Sequence, residues 1–334
     1  MTKSPKTLIA VFFAAVLLWI LVSPKAPRLI VYCAHDAIYS NKVLAQFTAE
    51  TGIKVEPRFD SEATKSLGLV ELIIKEAQNP RCDVFWNNEL LGMLDLDQRG
   101  LLEPYQGQGY ARIPDQYKSP TGTWTGFAAR MRMMIGNTQL MTIDPSSINE
   151  VLAGDLSRVA IAKPMFGTTL THYAVLWDQL GTDGLKAWHN DMRQRGLVEA
   201  PGNGPVKNLV GRGICQLGFT DTDDYFLGVS EGLPVSALPA RVGENQTIVI
   251  PNTVAIIKGS KHQDEAQQLV DFLLSSRTEL ILARSPARQI PLGPIGDETL
   301  PSEVEQLVIW AKDSLDLRNL LIARNEVLAW LRGE

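Results

Sequence analysis

The chain has 334 residues, 45% of them hydrophobic and 21% charged, enough to bury a substantial core and to make two domains. A formal net charge of -5, with no stripe of Lys and Arg interleaved with aromatics, argues against a nucleic-acid partner. Cys33, Cys82 and Cys215 are too few and too scattered for a disulfide framework and lack zinc-ligand spacing, so buried free thiols are expected, with a single bridge left open if the chain is exported.

The first element is apolar. Lys3 and Lys6 precede TLIAVFFAAVLLWILVS (Thr7 to Ser23), an uncharged run long enough to approach one bilayer crossing. No A-x-A-like cleavage site follows, Pro27 stands just after the small residue Ala26, and no cysteine is placed for lipidation. Residues 1–27 are therefore expected to form an uncleaved hydrophobic helical anchor, with a cleaved signal peptide as the alternative. Lys25 and Arg28 balance the basic residues in front, so the positive-inside rule orients the run only weakly. Either outcome places the bulk of the chain outside the cytoplasm, with membrane contact through this segment.

LIVYCA (Leu29 to Ala34) is a short continuous apolar run, the pattern of a strand covered on both faces. NKVLAQFTAETG then puts Val43, Leu44 and Phe47 on one helical face, with Gly52 placed to end the helix. KVEPRF is a second strand, moved to an edge by Pro57, and SLGLVELIIKEAQNP a second helix. CDVFW is a third strand, and the alternation predicts a parallel α/β sheet. FAARMRMMIGNT (Phe127 to Thr138) reads as a long strand crossing between lobes. Strand VAIAKP, helix TTLTHYAVLWDQLG closed by Gly181, helix GLKAWHNDMRQRG and strand CQLGFT follow. TIVIPNTVAIIKG gives two strand pieces around Pro251, then HQDEAQQLVDFLLSS, VEQLVIWAK and NEVLAWLRG are helices. The expected organisation is two α/β lobes, 28–128 plus 248–290 and 129–247 plus 291–334, joined by two crossings.

Ligands of open parallel sheets bind beyond the carboxyl ends of the strands. Four such ends are polar: His35-Asp36, Asn87-Asn88-Glu89, Gly167-Thr168-Thr169, and Asp221-Thr222-Asp223-Asp224. Each has a plain alternative. His35 suits a turn, Asn87 to Glu89 a helix start, Thr168 an N-cap, and PGNGP with Asn203 a turn. Gly167, Thr168 and Thr169 also suit an anion at a helix start, and Asn203 could donate to it. Capping by Asp or Thr explains one carboxylate of TDTDD and leaves two, for solvent or for a cation.

VYCAHDAIYSNKVLAQFTAETGIKV, NPRCDVFWNNEL, RMRMMIGNT and VAIIKGSKHQDEAQQLVDFLLS, in that order and spacing, resemble the extracellular solute-binding proteins of bacterial ABC importers, in particular the ferric-ion-binding branch. The likeness runs from about Leu29 to about Ser276. It implies a type II periplasmic-binding-protein fold, two lobes closing about two hinge strands on a small solute for an ABC permease and its ATPase, acting as a monomer. In such proteins a histidine, a glutamate and two adjacent tyrosines hold Fe³⁺ with a synergistic anion. The implied metal set here is His35, Glu89, Asp223 and Tyr225. Asn88 aligns more directly with the glutamate, and Thr222 and Asp223 stand where the tyrosine pair should lie, with Tyr225 two places on. Carboxylates are hard oxygen donors, so Fe³⁺ remains compatible with that change. The implied anion side, for phosphate, carbonate or citrate, is Gly167, Thr168, Thr169 and Asn203, with Asn88, Asp221, Thr222 and Arg130 as further contacts. Either Arg130 or Arg132 could pair with a phosphate or carboxylate.

Three other functions compete with iron capture. A phosphorylated or carboxylated organic solute without metal would use the anion side alone. A metal-dependent hydrolase could be composed from His35, Asp36 and TDTDD, but G-x-S-x-G, H-E-x-x-H, the P-loop and the dinucleotide fingerprint are all missing. A tethered sensor would need an output domain that this sequence does not contain.

Overall fold

A computed structural model describes residues 28–60 and 67–333. The hydrophobic run, and with it the expectation of an anchor or signal, lies outside them. Among the described residues no helix is long and apolar enough to cross a membrane.

Twelve strands are present among these residues. They are β1 (Arg28–Cys33), β2 (Lys54–Phe59), β3 (Val84–Asn87), β4 (Leu102–Glu103), β5 (Thr125–Asn137) and β6 (Val159–Ala162). β7 (Val198–Ala200), β8 (Leu217–Asp221), β9 (Val235–Pro239), β10 (Arg241–Val242), β11 (Gln246–Thr247) and β12 (Val249–Ile257) complete the set. Ten of them form one sheet in the order β2-β1-β3-β12-β5-β8-β6-β7, with β4 on β12 and β9 on β5, while β10 and β11 make a small ribbon.

Two parallel trios flank an antiparallel pair. β2, β1 and β3 run parallel, as do β8, β6 and β7. Strands β12 and β5 run against each other and against the trio beside each. The reason lies in the apolar runs: every residue of β3, β6 and β8 is buried, which requires helices on both faces. Those helices are the crossovers Ala37–Thr51, Leu67–Lys75, Gly167–Gln194 and Asn203–Gly211. Pro57 sits on the edge strand β2, where its missing N–H leaves no ladder bond unmade. Gly52 ends the first helix at φ 74. The long helix breaks at Gly181 (φ 70, ψ 174), where the sequence separates two helices.

The central pair joins the trios. Thr125–Met131 of β5 pairs with β12, whereas Arg132–Asn137 pairs with β8 and β9. Instead of two strand pieces around Pro251, the chain forms one strand, β12, whose register shifts between Ile250 and Asn252. The proline lacks the N–H a regular ladder would need there, so a bulge absorbs it. Opposite, Ala128 of β5 adopts φ 42, in the left-handed region. Its N–H donates to Glu279 Oε1 at 2.8 Å, and Asn252 Nδ2 donates to its carbonyl. Beyond the sheet, the last helix, Leu321–Arg332, packs along Gly167–Gln194 and touches Leu91–Gln98.

Candidate functional site

The carboxyl ends of β1 and β8 are linked through the central pair by buried polar side chains. His35, 2% exposed at the end of β1, meets Gln289 at 2.8 Å between Nε2 atoms. The amide must donate, so the imidazole Nε2 accepts. Asn252 Nδ2 in turn donates to Gln289 Oε1 at 2.9 Å, and Arg130 Nη2 donates to Asn252 Oδ1 at 3.4 Å. Arg130 Nη1 pairs with Asp223 Oδ2 at 3.1 Å, in the first turn of the helix Thr222–Ser230.

Asp221 has its own partner. Its Oδ1 accepts from Arg132 Nη1 at 2.7 Å, and its Oδ2 accepts from the Thr168 hydroxyl and from Asn203 Nδ2 at 2.8 Å. Arg132 also donates to Asn203 Oδ1 at 3.1 Å, and Thr169 Oγ1 donates to the same oxygen at 3.2 Å. The expected anion side is thus assembled around a carboxylate of the chain itself. The expected caps are not. Phe166 precedes the helix at Gly167 (φ 60), so Thr168 lies inside the first turn and spends its hydroxyl on Asp221. Asp221 likewise precedes Thr222–Ser230 without capping it, because Arg132 holds its carboxylate. Thr222, fully buried, accepts from the Met131 N–H at 3.2 Å and ties the helix to β5.

Oxygens of Asp221, Asp223 and Asp224 lie within 4.8 Å of one another. Burial works against the charge of Arg130, but Asp223, Asp221, Asp36 and Asp224 together hold its pKa above the ordinary value. Four carboxylates facing Arg130 and Arg132 leave a formal surplus of two negative charges. Tyr39, a residue the sequence did not single out, joins them from the other side. Burial raises its phenol pKa, and Asp223, Asp36 and Asp224 raise it further. Its ring lies 6.1 Å from that of His35. Its place in the first turn of Ala37–Thr51, directly after the polar end His35-Asp36, was the available signal. The alternation of a strand likewise places Arg130 and Arg132 on one face, so both were legible as a pair.

Two expected metal ligands are engaged elsewhere. Glu89, 4% exposed, accepts from the N–H groups of Leu91 and Gly92 and from Asn87 Nδ2 at 2.8 Å, which makes it the acceptor at the start of Leu91–Gln98. Burial raises its pKa while those bonds lower it. Tyr225 lies against Phe226 with the ring centroids 4.8 Å apart and the planes tilted by 50°. Burial raises its phenol pKa, and the groups that act on it are Ser236 and Glu303. Asn88 is buried next to Glu89, its N–H on Asn87 Oδ1 at 3.0 Å. Cys33, Cys82 and Cys215 are buried and free.

Comparison with known proteins agrees with this architecture. A family described as "Bacterial extracellular solute-binding protein" matches residues 29–285. The chain is 27% identical over 273 residues to "Iron uptake protein A1" of Synechocystis sp., covering 76% of this chain and 73% of that protein. The structure of iron-bound HitA from Pseudomonas aeruginosa superposes with a TM-score of 0.79 at 22% identity, over 92% of this chain and 100% of that one. The periplasmic binding protein AfuA from Actinobacillus pleuropneumoniae, with fructose-6-phosphate bound, superposes at 0.77 and 18% identity, over 93% of this chain and 99% of that one. The fold is therefore the type II periplasmic-binding-protein fold, and with more than half its length matched the chain belongs to the bacterial extracellular solute-binding proteins.

Proposed function

We propose that this protein captures ferric iron between two lobes outside the cytoplasm and delivers it to an ABC permease with its ATPase. One observation carries the proposal: His35, Asp36 and Tyr39 from the end of β1 and Asp223 and Asp224 from the end of β8 bound one net-negative cluster. Oxygen donors suit a hard trivalent cation, and the His35 imidazole would join them by exchanging its hydrogen bond from Gln289 for the metal. The iron-related names of the Synechocystis and Pseudomonas proteins support the same cargo. Glu89 and Tyr225, occupied elsewhere, are left out of the proposed ligand set. The lobes are residues 28–128 with 248–290 and residues 129–247 with 291–334, turning about β5 and β12. Cargo bridging both lobes would stabilise the closed form.

A second reading has one observation in its favour. Arg132, Thr168 and Asn203 are the donors a phosphorylated or carboxylated organic solute would need, and AfuA holds fructose-6-phosphate.

Titration of the full-length chain with Fe³⁺ against a competing chelator is expected to show tight binding. A visible charge-transfer band is expected as well, and Tyr39→Phe should abolish it. A colourless complex would put the metal on carboxylates and imidazole alone. Absence of metal affinity together with tight binding of fructose-6-phosphate would replace the proposal with the second reading.

A further inference from the structure

We infer that Asp221 closes the anion pocket of this cleft from within, so that the protein takes its cation without a companion oxyanion and rejects phosphorylated solutes. The inference rests on the ferric reading above for the identity of the cation, and on geometry alone for the closure.

An oxyanion receptor needs convergent donors, and here they converge on a side chain. Arg132 Nη1 reaches Asp221 Oδ1 at 2.7 Å, and the Thr168 hydroxyl and Asn203 Nδ2 reach Oδ2. Asn203 and Thr168 are locked to each other at 2.9 Å, so neither can swing to a newcomer without breaking the set. Asp221 is 2% exposed, Thr168 4% and Arg132 0%. The remaining Arg132 donors, Nε and Nη2, have no hydrogen-bond partner among the described residues and are sealed from solvent. A phosphate placed on this receptor would have to expel a buried, charge-assisted carboxylate or sit beside it as a like charge in a low-dielectric site.

Charge balance points the same way. A companion anion is useful where the protein supplies too little negative charge for a trivalent ion. The surplus of two negative charges around Arg130 and Arg132 offsets two of the ion's three charges, and Tyr39, bound as a phenolate, would supply the third. Asp221 thus serves as a specificity-determining residue that keeps the donor set ordered and shuts out the oxyanion.

The test uses metal-free full-length protein and inorganic phosphate, followed by fructose-6-phosphate, at constant ionic strength. Calorimetry and thermal unfolding of the wild type are expected to show no saturable response to either. Asp221→Ala and the isosteric Asp221→Asn are expected to gain a saturable, phosphate-dependent rise in unfolding temperature. Phosphate should leave the Fe³⁺ affinity of the wild type unchanged and raise that of Asp221→Ala on the order of tenfold. Saturable phosphate binding by the wild type overturns the inference. So does a folded Asp221→Ala that ignores phosphate. If neither variant folds, the wild-type titration decides alone, its absence of binding upholding the closure. Loss of Fe³⁺ binding under every condition would remove the ferric reading while the metal-free phosphate result still settles the role of Asp221.

Discussion

The side chains that converge at the β8 end behave differently from one another although they are neighbours in sequence. Asp221 is spent on Arg132, Asp223 answers Arg130, and Asp224 lies with them. If the cluster holds the cation, Asp223→Ala should weaken Fe³⁺ binding far more than Asp36→Ala, by at least the 10–100-fold typical of losing even an outer-shell partner. Chelator competition measures this, and equal, negligible losses in both variants would leave Asp223 as a partner for Arg130 only. Glu89 should show the opposite profile. Glu89→Gln leaves the metal affinity unchanged but loosens the start of Leu91–Gln98, for a stability loss of about 1 kcal/mol in urea unfolding. His172 gives the pH dependence. Burial, with the Arg132 charge adding to it, lowers its pKa from 6.5 to about 3. The unfolded chain therefore binds a proton there before the folded one does, so stability is full above pH 6.5 and falls as the pH drops toward 3. The loss approaches about 4 kcal/mol at the acid end. Urea midpoints should fall between neutral and acid pH in the wild type and fall less in His172→Phe. Parallel curves would refute the assignment. Sequence alone showed which residues could gather but not their pairings, because a carboxylate that caps, one that pairs and one that waits for a cation are the same residue type after the same strand.

Elements were more legible than partners. Apolar runs such as VFWN and VAIA, four residues long between turn signals, fit strands with both faces covered, and Pro57 fits an edge. FAARMRMMIGNT carried its length openly, so the long crossing strand was visible from its pattern. What pattern could not convey is the joint inside it. Ala128 takes a left-handed conformation that glycine would adopt freely, and it is pinned from outside the strand, by Glu279 on its N–H and Asn252 on its carbonyl. Both pins are distant in sequence, which is why Pro251 suggested a break where a bulge exists. Because the conformation disfavours a Cβ branch, Ala128→Val should lose about 1–2 kcal/mol or more of stability. Ala128→Gly should unfold at nearly the wild-type urea midpoint, relief of strain offsetting the added freedom of the unfolded chain. A valine variant as stable as wild type would mean the strand relaxes to an ordinary extended form, and the left-handed joint would be refuted.

Transport requires the two lobes to move as bodies, so contacts that span them should tune affinity without touching cargo. On the proposed lobe boundaries, one such contact is an ion pair far apart in sequence, Arg324 of the last helix with Asp95 of Leu91–Gln98, at 3.2 Å. Asp95 also holds Arg99 at 2.8 Å, and the Arg324 and Asp95 side chains are 11% and 8% exposed. If residues 291–334 travel with 129–247, this pair favours the lobe separation seen here, at which the β1 and β8 ends share one acidic cluster. Removing a single partner would strand a buried charge and confuse hinge effects with unfolding. Asp95→Leu combined with Arg324→Met removes both charges and keeps apolar volume. The double variant should stay folded, and amides of both helices should exchange faster with solvent deuterium. Its iron affinity should fall on the order of five- to tenfold, because apparent affinity scales with the fraction of molecules in the binding-competent arrangement. Faster exchange with unchanged affinity would mean that the last helix rides with the first lobe instead, and the boundary at residue 291 would have to move.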